Sequence, residues 1–220
     1  MSNLRTGIYG EYYGSYWGES ELLTYEQMQV SAFYIYSALT DKGWTPEAIA
    51  GLLGNIQHES GINPGRWQSD NVGNVSSGYS LTQWTPSTKY TEWCASEGRS
   101  DPSEMDNAIA RIIWELENGE QYYATDTYPL SFRAFSQSSG SPYDLACAFA
   151  WNYERSWKVL YGTEADKEEV RQERGGSAES RYTYLTGKEP TPPGSGGSKT
   201  KRRKKYNFVL FGKRQWRATV

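Results

Sequence analysis

The run Trp44-Thr-Pro-Glu-Ala-Ile-Ala-Gly-Leu-Leu-Gly-Asn-Ile-Gln-His-Glu-Ser-Gly-Ile-Asn-Pro64 carries start and stop signals at its two ends, and these leave it one local structure. Thr45 suits an N-cap, Pro46 suits a first helical position, and Gly61 ends the helix. Ile49, Leu52, Leu53 and Ile56 then fall on one apolar stripe. At about 100° per residue, Glu59 lies roughly 20° from Leu52, at the edge of that stripe. A carboxyl there leans on a core at the negative end of a helix. Desolvation and the dipole both disfavour its ionised form, which is how a carboxyl is kept protonated for general acid chemistry. The same spacing also fits a Glu that simply reaches solvent at a helix end.

The residues after Glu59 separate these two roles. Glu59-Ser-Gly-Ile-Asn-Pro64 continues through Gly65-Arg-Trp67-Gln68 to Tyr79-Ser-Leu-Thr-Gln83-Trp84-Thr-Pro86. This order resembles the lysozyme-like muralytic domains of phage tails, with their Glu-Ser helix end, Asn-Pro turn and Gly-Leu-x-Gln-Trp-type segment. Tyr153-Glu154-Arg155 resembles the family's later Tyr-Glu-Arg, and Glu173-Arg174-Gly175 with Arg181-Tyr182 resembles its closing helix. The resemblance spans about residues 24–186. Ser80 departs from it, standing where relatives usually carry Gly. The resemblance implies a mainly α, lysozyme-like fold with a small β-lobe from the Gly-rich residues 61–83, and cleavage of the peptidoglycan glycan strand with Glu59 as the acid.

Glycoside hydrolysis usually pairs a protonated carboxyl with an ionised one. Asp70, in the Trp67-Gln-Ser-Asp70-Asn loop, is the candidate for the second group; capping a turn is the competing role for an Asp beside Asn and Gly. A lytic transglycosylase, which needs only one Glu, is the alternative chemistry. Gln83 and Tyr79 can hydrogen-bond a sugar, Trp67 can stack on one or fill the core, and Tyr153 and Glu154 resemble family positions near the cleft. Arg155 and Glu154 could instead form an ion pair that holds a loop. No cofactor is expected. His58 is the only histidine and should be solvated; Cys94 and Cys147 have no metal spacing, so a metal site is not expected either. Cys147 should be a buried thiol.

Helices are expected from Thr24 to about Lys42, Ser87 to about Glu97, Ser103 to Asn118, onward from Ser141, and over Glu164–Arg174 and Ala178–Leu185. Trp 9, Tyr 18 and Phe 6 make aromatics 15% of the chain, enough to build a small core and still face sugars. The domain plan is a Gly/Tyr-rich arm at 1–20, a catalytic body at 21–188, a Pro/Gly/Ser linker at 189–198 and a basic tail at 199–220 able to form a β-ribbon. That tail holds nine of the 23 basic residues and no acid, leaving residues 1–198 with 14 basic against 26 acidic, a balance of −12. Virion tail proteins or anionic wall polymers are the partners this suggests; nucleic acid fits the tail but not the acidic body.

No segment approaches the apolar length of a membrane span, and the first residues lack the apolar core of a secretory signal. Synthesis in the host cytoplasm and delivery to the wall on a virion, or through a partner's membrane pore, is therefore expected. A tail muramidase is the reading; a lysis endolysin with the same chemistry and a non-catalytic wall-binding or virion structural protein are its rivals.

Overall fold

The computed structural model describes residues 3–190 and 193–194. An antiparallel ribbon, β1 (Asn3–Gly7) and β2 (Gly10–Gly14), leads into α1 (Tyr25–Asp41) and α2 (Pro46–Ser60). A turn-rich segment comes next, then α3 (Thr88–Ser96), α4 (Met105–Asn118), α5 (Phe132–Ser136), α6 (Pro142–Phe149), α7 (Trp157–Tyr161) and α8 (Glu164–Thr186). The protein is mainly helical with one small two-stranded sheet among the described residues. The proposed ribbon at 199–220 and most of the 189–198 linker lie outside those residues.

Cap chemistry sets the helix boundaries as the sequence predicts. The Thr24 hydroxyl accepts from the Gln27 amide while the Gln27 side chain accepts from the Thr24 amide, a reciprocal box that starts α1. Thr45 accepts from the Ala48 amide and Gly61 adopts a φ of 63° at the end of α2. Ser141 caps α6 and Gly119, at φ 68°, closes α4. The two segments expected at 164–174 and 178–185 are one helix, because α8 runs unbroken through Gly175 and Gly176. Its packing along α2 outweighs the propensity loss of two glycines, about 1 kcal/mol each.

α2 is the central helix, wrapped by α6 and α8. Gly51 and Gly54 make this possible. A Cβ on Gly54 would sit 2.5 Å from the Arg174 carbonyl oxygen and 2.9 Å from the Ala178 Cβ, and one on Gly51 would sit 2.9 Å from the Leu145 Cβ. Asn55 ties the same surfaces together, donating from Nδ2 to the carbonyls of Gly51 and Ala146 at 3.0 Å each. Backbone-to-backbone approach on this face brings α8 within side-chain reach of the end of α2.

The N-terminal arm docks on the body. Asn63 accepts the Ser15 and Gly65 amides at 3.0 and 2.9 Å and donates to the Ser15 hydroxyl and Glu21 carbonyl at 2.9 and 2.8 Å. Every hydrogen-bonding site of that buried amide is therefore filled. Arg5 adds an ion pair to Asp101 at 2.9 Å. The aromatic residues mostly build the core: Trp84 and Tyr90 stack at 4.5 Å, Trp67 and Tyr79 lie 4.5 Å apart, and Phe149 and Tyr153 stack at 4.4 Å. Cys94 and Cys147 are buried free thiols.

Candidate active site

Glu59 lies in the last turn of α2 with 21% of its side chain exposed. Burial pushes its carboxyl up to about 7. The helix interior and α8 remove water from it while the exposed fraction leaves it reachable. The Arg174 guanidinium donates from Nη2 to Glu59 Oε1 at 2.7 Å, and burial lowers Arg174 itself to about 10. An adjacent cation favours the carboxylate, and desolvation opposes it. Desolvation wins, because both members of the pair have lost most of their water. His58, one residue earlier, points elsewhere: it is exposed and meets the Ser177 hydroxyl at 2.9 Å.

Two further carboxyls approach from other elements. Glu115, on the apolar face of α4, is fully buried and receives three donors: Trp84 Nε1 at 2.8 Å, Arg111 Nε at 3.0 Å and the Tyr153 hydroxyl at 2.6 Å. It fastens the Trp84 segment and the chain around Tyr153 to α4. Glu154 ends a π-helical turn, Ala150–Glu154, after which Arg155 adopts a left-handed φ of 49°. Glu154 Oε1 is buried without a hydrogen-bond partner, and burial, then the charges of Glu59 and Glu115, hold its carboxyl well above the usual range. Arg155 stacks over the Tyr123 ring at 4.7 Å, and no Arg155–Glu154 ion pair forms among the described residues. A widened helical turn of this kind re-aims a side chain that an α-helical continuation would direct elsewhere.

Residues 66–84 form a compact turn structure joined by the isolated bridges Trp67–Tyr79 and Tyr79–Trp84. Ser80 and Gln83 hold φ values of 71° and 52°, a region that costs a residue with a Cβ. That backbone is the physical reason a Gly suits the position of Ser80. Gln83 donates from Nε2 to the carbonyls of Arg66 and Ser80 at 3.1 and 2.8 Å, and its Oε1 is buried without a partner.

The remaining sequence candidates divide between surface and core. Asp70 is exposed on a 3-10 turn, gripped by Arg66 at 2.9 and 3.0 Å and by the Ser20 hydroxyl at 2.7 Å. Trp67, Tyr79 and Tyr153 are 1%, 0% and 1% exposed, so their ring faces are covered by protein. Trp17 of the arm covers two of them, with its ring 5.2 Å from Trp67 and 5.1 Å from Tyr79. Of the four residues expected to meet substrate, Gln83 alone keeps appreciable surface. A separate pocket of about 300 Å³ lies between Thr127–Leu130 and the start of α6 and is lined by none of these residues.

A profile of phage tail lysozymes matches residues 31–185, which include α2, the turn structure, α4, the π-helical turn and nearly all of α8. The chain belongs to the phage tail lysozyme family. It is also 39% identical over 176 residues to "Morphogenesis protein 1" of Bacillus phage B103. The aligned region is 80% of this chain and 45% of that relative, so the chain spans under half of the relative's length. Within the family match, the sequence alone singled out neither Glu115 nor Arg174 as a site residue. Glu115 had a usable signal, an acid in the apolar stripe of Ala108, Ile109 and Ile112 with Arg111 four residues before it. Arg174 entered only through the Glu173-Arg174-Gly175 resemblance, because its contact with Glu59 depends on how closely α8 approaches α2. No helix among the described residues is long and apolar enough to cross a membrane.

Proposed function

We propose that the chain is a peptidoglycan glycan-strand hydrolase of muramidase type, carried by a phage tail and acting on the cell wall during entry. One observation carries the reading. Glu59, at the end of α2 and contacted by Arg174, joins a carboxyl held up to about 7 with accessible surface, whereas Glu115 is sealed by three donors. Glu59 delivers its proton to the glycosidic oxygen as the C–O bond breaks, which suits a group that titrates close to the working pH. Gln83, whose amide bridges the Arg66 and Ser80 carbonyls, meets the sugar only if that bridge opens, and otherwise shapes the turn beside it. Trp67 and Tyr79 meet glycan only if Trp17 swings off them, and Tyr153 acts by holding Glu115 and Thr82 in place.

Asp70 is the second carboxylate in the hydrolytic route, fixed in position by Arg66 and Ser20. The lytic transglycosylase route needs no such group, since the sugar's own 6-hydroxyl attacks. Membership of a tail lysozyme family, together with a relative named for morphogenesis, supports residence in the virion over a lysis endolysin. Mass spectrometry of a peptidoglycan digest tests the reading. New reducing ends are expected; anhydro ends would move the chain to the transglycosylases, and an undigested glycan with retained wall binding would make it a structural or binding protein.

A further inference from the structure

Residues 15–21 form a loop with both feet on one side chain. Asn63 accepts the Ser15 amide at 3.0 Å and donates to the Ser15 hydroxyl and the Glu21 carbonyl at 2.9 and 2.8 Å. The Glu21 amide closes the loop on the Ser15 hydroxyl at 3.2 Å. A Cβ on Gly65 would sit 2.1 Å from the Ser15 carbonyl oxygen, so this foot is packed hard against the chain that follows α2. Asn63 comes four residues after Glu59, which anchors the loop beside the acid's end of that helix. The tip is held differently. The Glu19 amide donates to the Tyr16 carbonyl at 2.9 Å across a turn in which Gly18 holds a φ of 90°, and nothing lies within 4 Å of where a Gly18 Cβ would be. Trp17, beside it, is 48% exposed and rests on the rings of Trp67 and Tyr79 at 5.2 and 5.1 Å. Ser20 accepts the Trp67 amide at 3.1 Å, so Trp17 can leave without freeing the backbone beneath it.

The two rings under Trp17 are not finished as core. Trp67 Nε1 and Tyr79 Oη are both buried without a hydrogen-bond partner, whereas a buried indole or phenol normally finds one. Trp17 does not supply it, since an indole has a single N–H and no acceptor. A pyranose of the glycan has what Trp17 lacks. Its apolar face covers an aromatic ring, and its hydroxyl and acetamido groups carry both donors and acceptors. We propose that the Trp67–Tyr79 face is a subsite for an N-acetylated pyranose, that Trp17 occupies it in the free chain, and that glycan displaces the Trp17 tip while Asn63 holds the feet. The inference rests on the reading of the chain as one that acts on glycan. Trp17 is then a built-in competitor, and the apparent affinity for glycan is reduced to the fraction of chains whose tip is lifted. The loop precedes the family match at 31–185, so cover and subsite come from different parts of the chain.

Calorimetric titration with a soluble chitin oligosaccharide tests the competition, using the full chain in the Glu59→Gln background with and without Trp17→Ala. Two aromatic contacts that must be given up before the sugar binds predict that Trp17→Ala binds roughly 5-fold more tightly or better. Equal, weaker or absent binding by Trp17→Ala would overturn the proposal, because Trp17 would then compete with nothing. Fluorine-19 spectra of the fluorotryptophan-labelled chain give a second readout, with Trp17 assigned by the line that Trp17→Phe loses. The Trp17 line should move toward that of a solvent-exposed indole as oligosaccharide is added, and the Trp67 line should shift with it. A Trp17 line unmoved at saturation would overturn the proposal even where the sugar binds. Tighter binding by Trp17→Ala and a moving Trp17 line, in a chain that leaves peptidoglycan uncut, would remove the hydrolase reading and leave the subsite standing. Glycan cleavage with an unmoved Trp17 line would do the reverse.

Discussion

Arg174 donates to Glu59 across 2.7 Å although 115 residues separate them in the chain. The pair is mostly shielded, with 14% and 21% of the two side chains exposed. Arg174 is carried there by α8, whose backbone packs against Gly54 of α2, so the electrostatics of the accessible carboxyl depend on helix packing as much as on its own position.

Glu59→Gln should fold and lose turnover by roughly 10² or more, the usual scale of general acid catalysis. Its stability should also respond to pH differently. The folded chain holds the Glu59 proton up to about 7, against 4.5 for an ordinary Glu. The contribution of that proton is complete below about 4.5 and is lost as pH rises through about 7. Urea midpoints should therefore favour the native chain over Glu59→Gln progressively more as pH falls across that window. A difference independent of pH would contradict the raised proton affinity.

Arg174→Gln removes the cation beside Glu59 and keeps a donor of similar reach. Glu59 should then hold its proton to higher pH, shifting the alkaline limb of kcat/KM upward, while urea denaturation shows a loss of roughly 1–3 kcal/mol from the imperfectly refilled site. A limb that moves downward would show that Arg174 does not act on the charge of Glu59.

Gly54→Ala places a methyl 2.5 Å from the Arg174 carbonyl, a backbone atom that cannot step aside without moving α8. Roughly 1–3 kcal/mol of stability should be lost, and activity should fall with it because the Glu59–Arg174 contact shifts. A neutral thermal melt would mean that α8 adjusts freely.

Asp70→Asn should reduce turnover nearly as much as Glu59→Gln in the hydrolytic route. Arg66→Gln breaks the same clamp while leaving the carboxylate, so it reports the structural share of the effect. Equal losses in both variants would assign Asp70 to holding the arm through Ser20. A small loss in both, with anhydro products, would select the single-carboxylate mechanism.

Truncation after Gly187 removes the nine-charge basic segment. Turnover on short soluble fragments should be kept and binding to intact walls weakened in its salt-sensitive part, since exposed charges are screened over about 8–10 Å at ordinary ionic strength. Poor cleavage of short fragments would place the tail at the active site.

Local chemistry was legible in the sequence because it is local. Thr24 with Gln27, Thr45 with Pro46, Ser141, and glycines at 61 and 119 each act on their own turn of chain, and the helices begin and end where those residues say. The place of Glu59 at the edge of an apolar stripe comes from helical periodicity in the same way. Tertiary structure decided the rest. Nothing local announces that Gly51 and Gly54 admit α6 and α8; Trp67 fits a sugar platform or a core equally, and Tyr79 a sugar-binding phenol, until Trp17 is laid against both. The π-helical turn that ends at Glu154 has no local signal in the residues that form it. Periodicity encodes which face of a helix is dry, but not which distant residue will meet it there, because that depends on the closest approach two backbones can make.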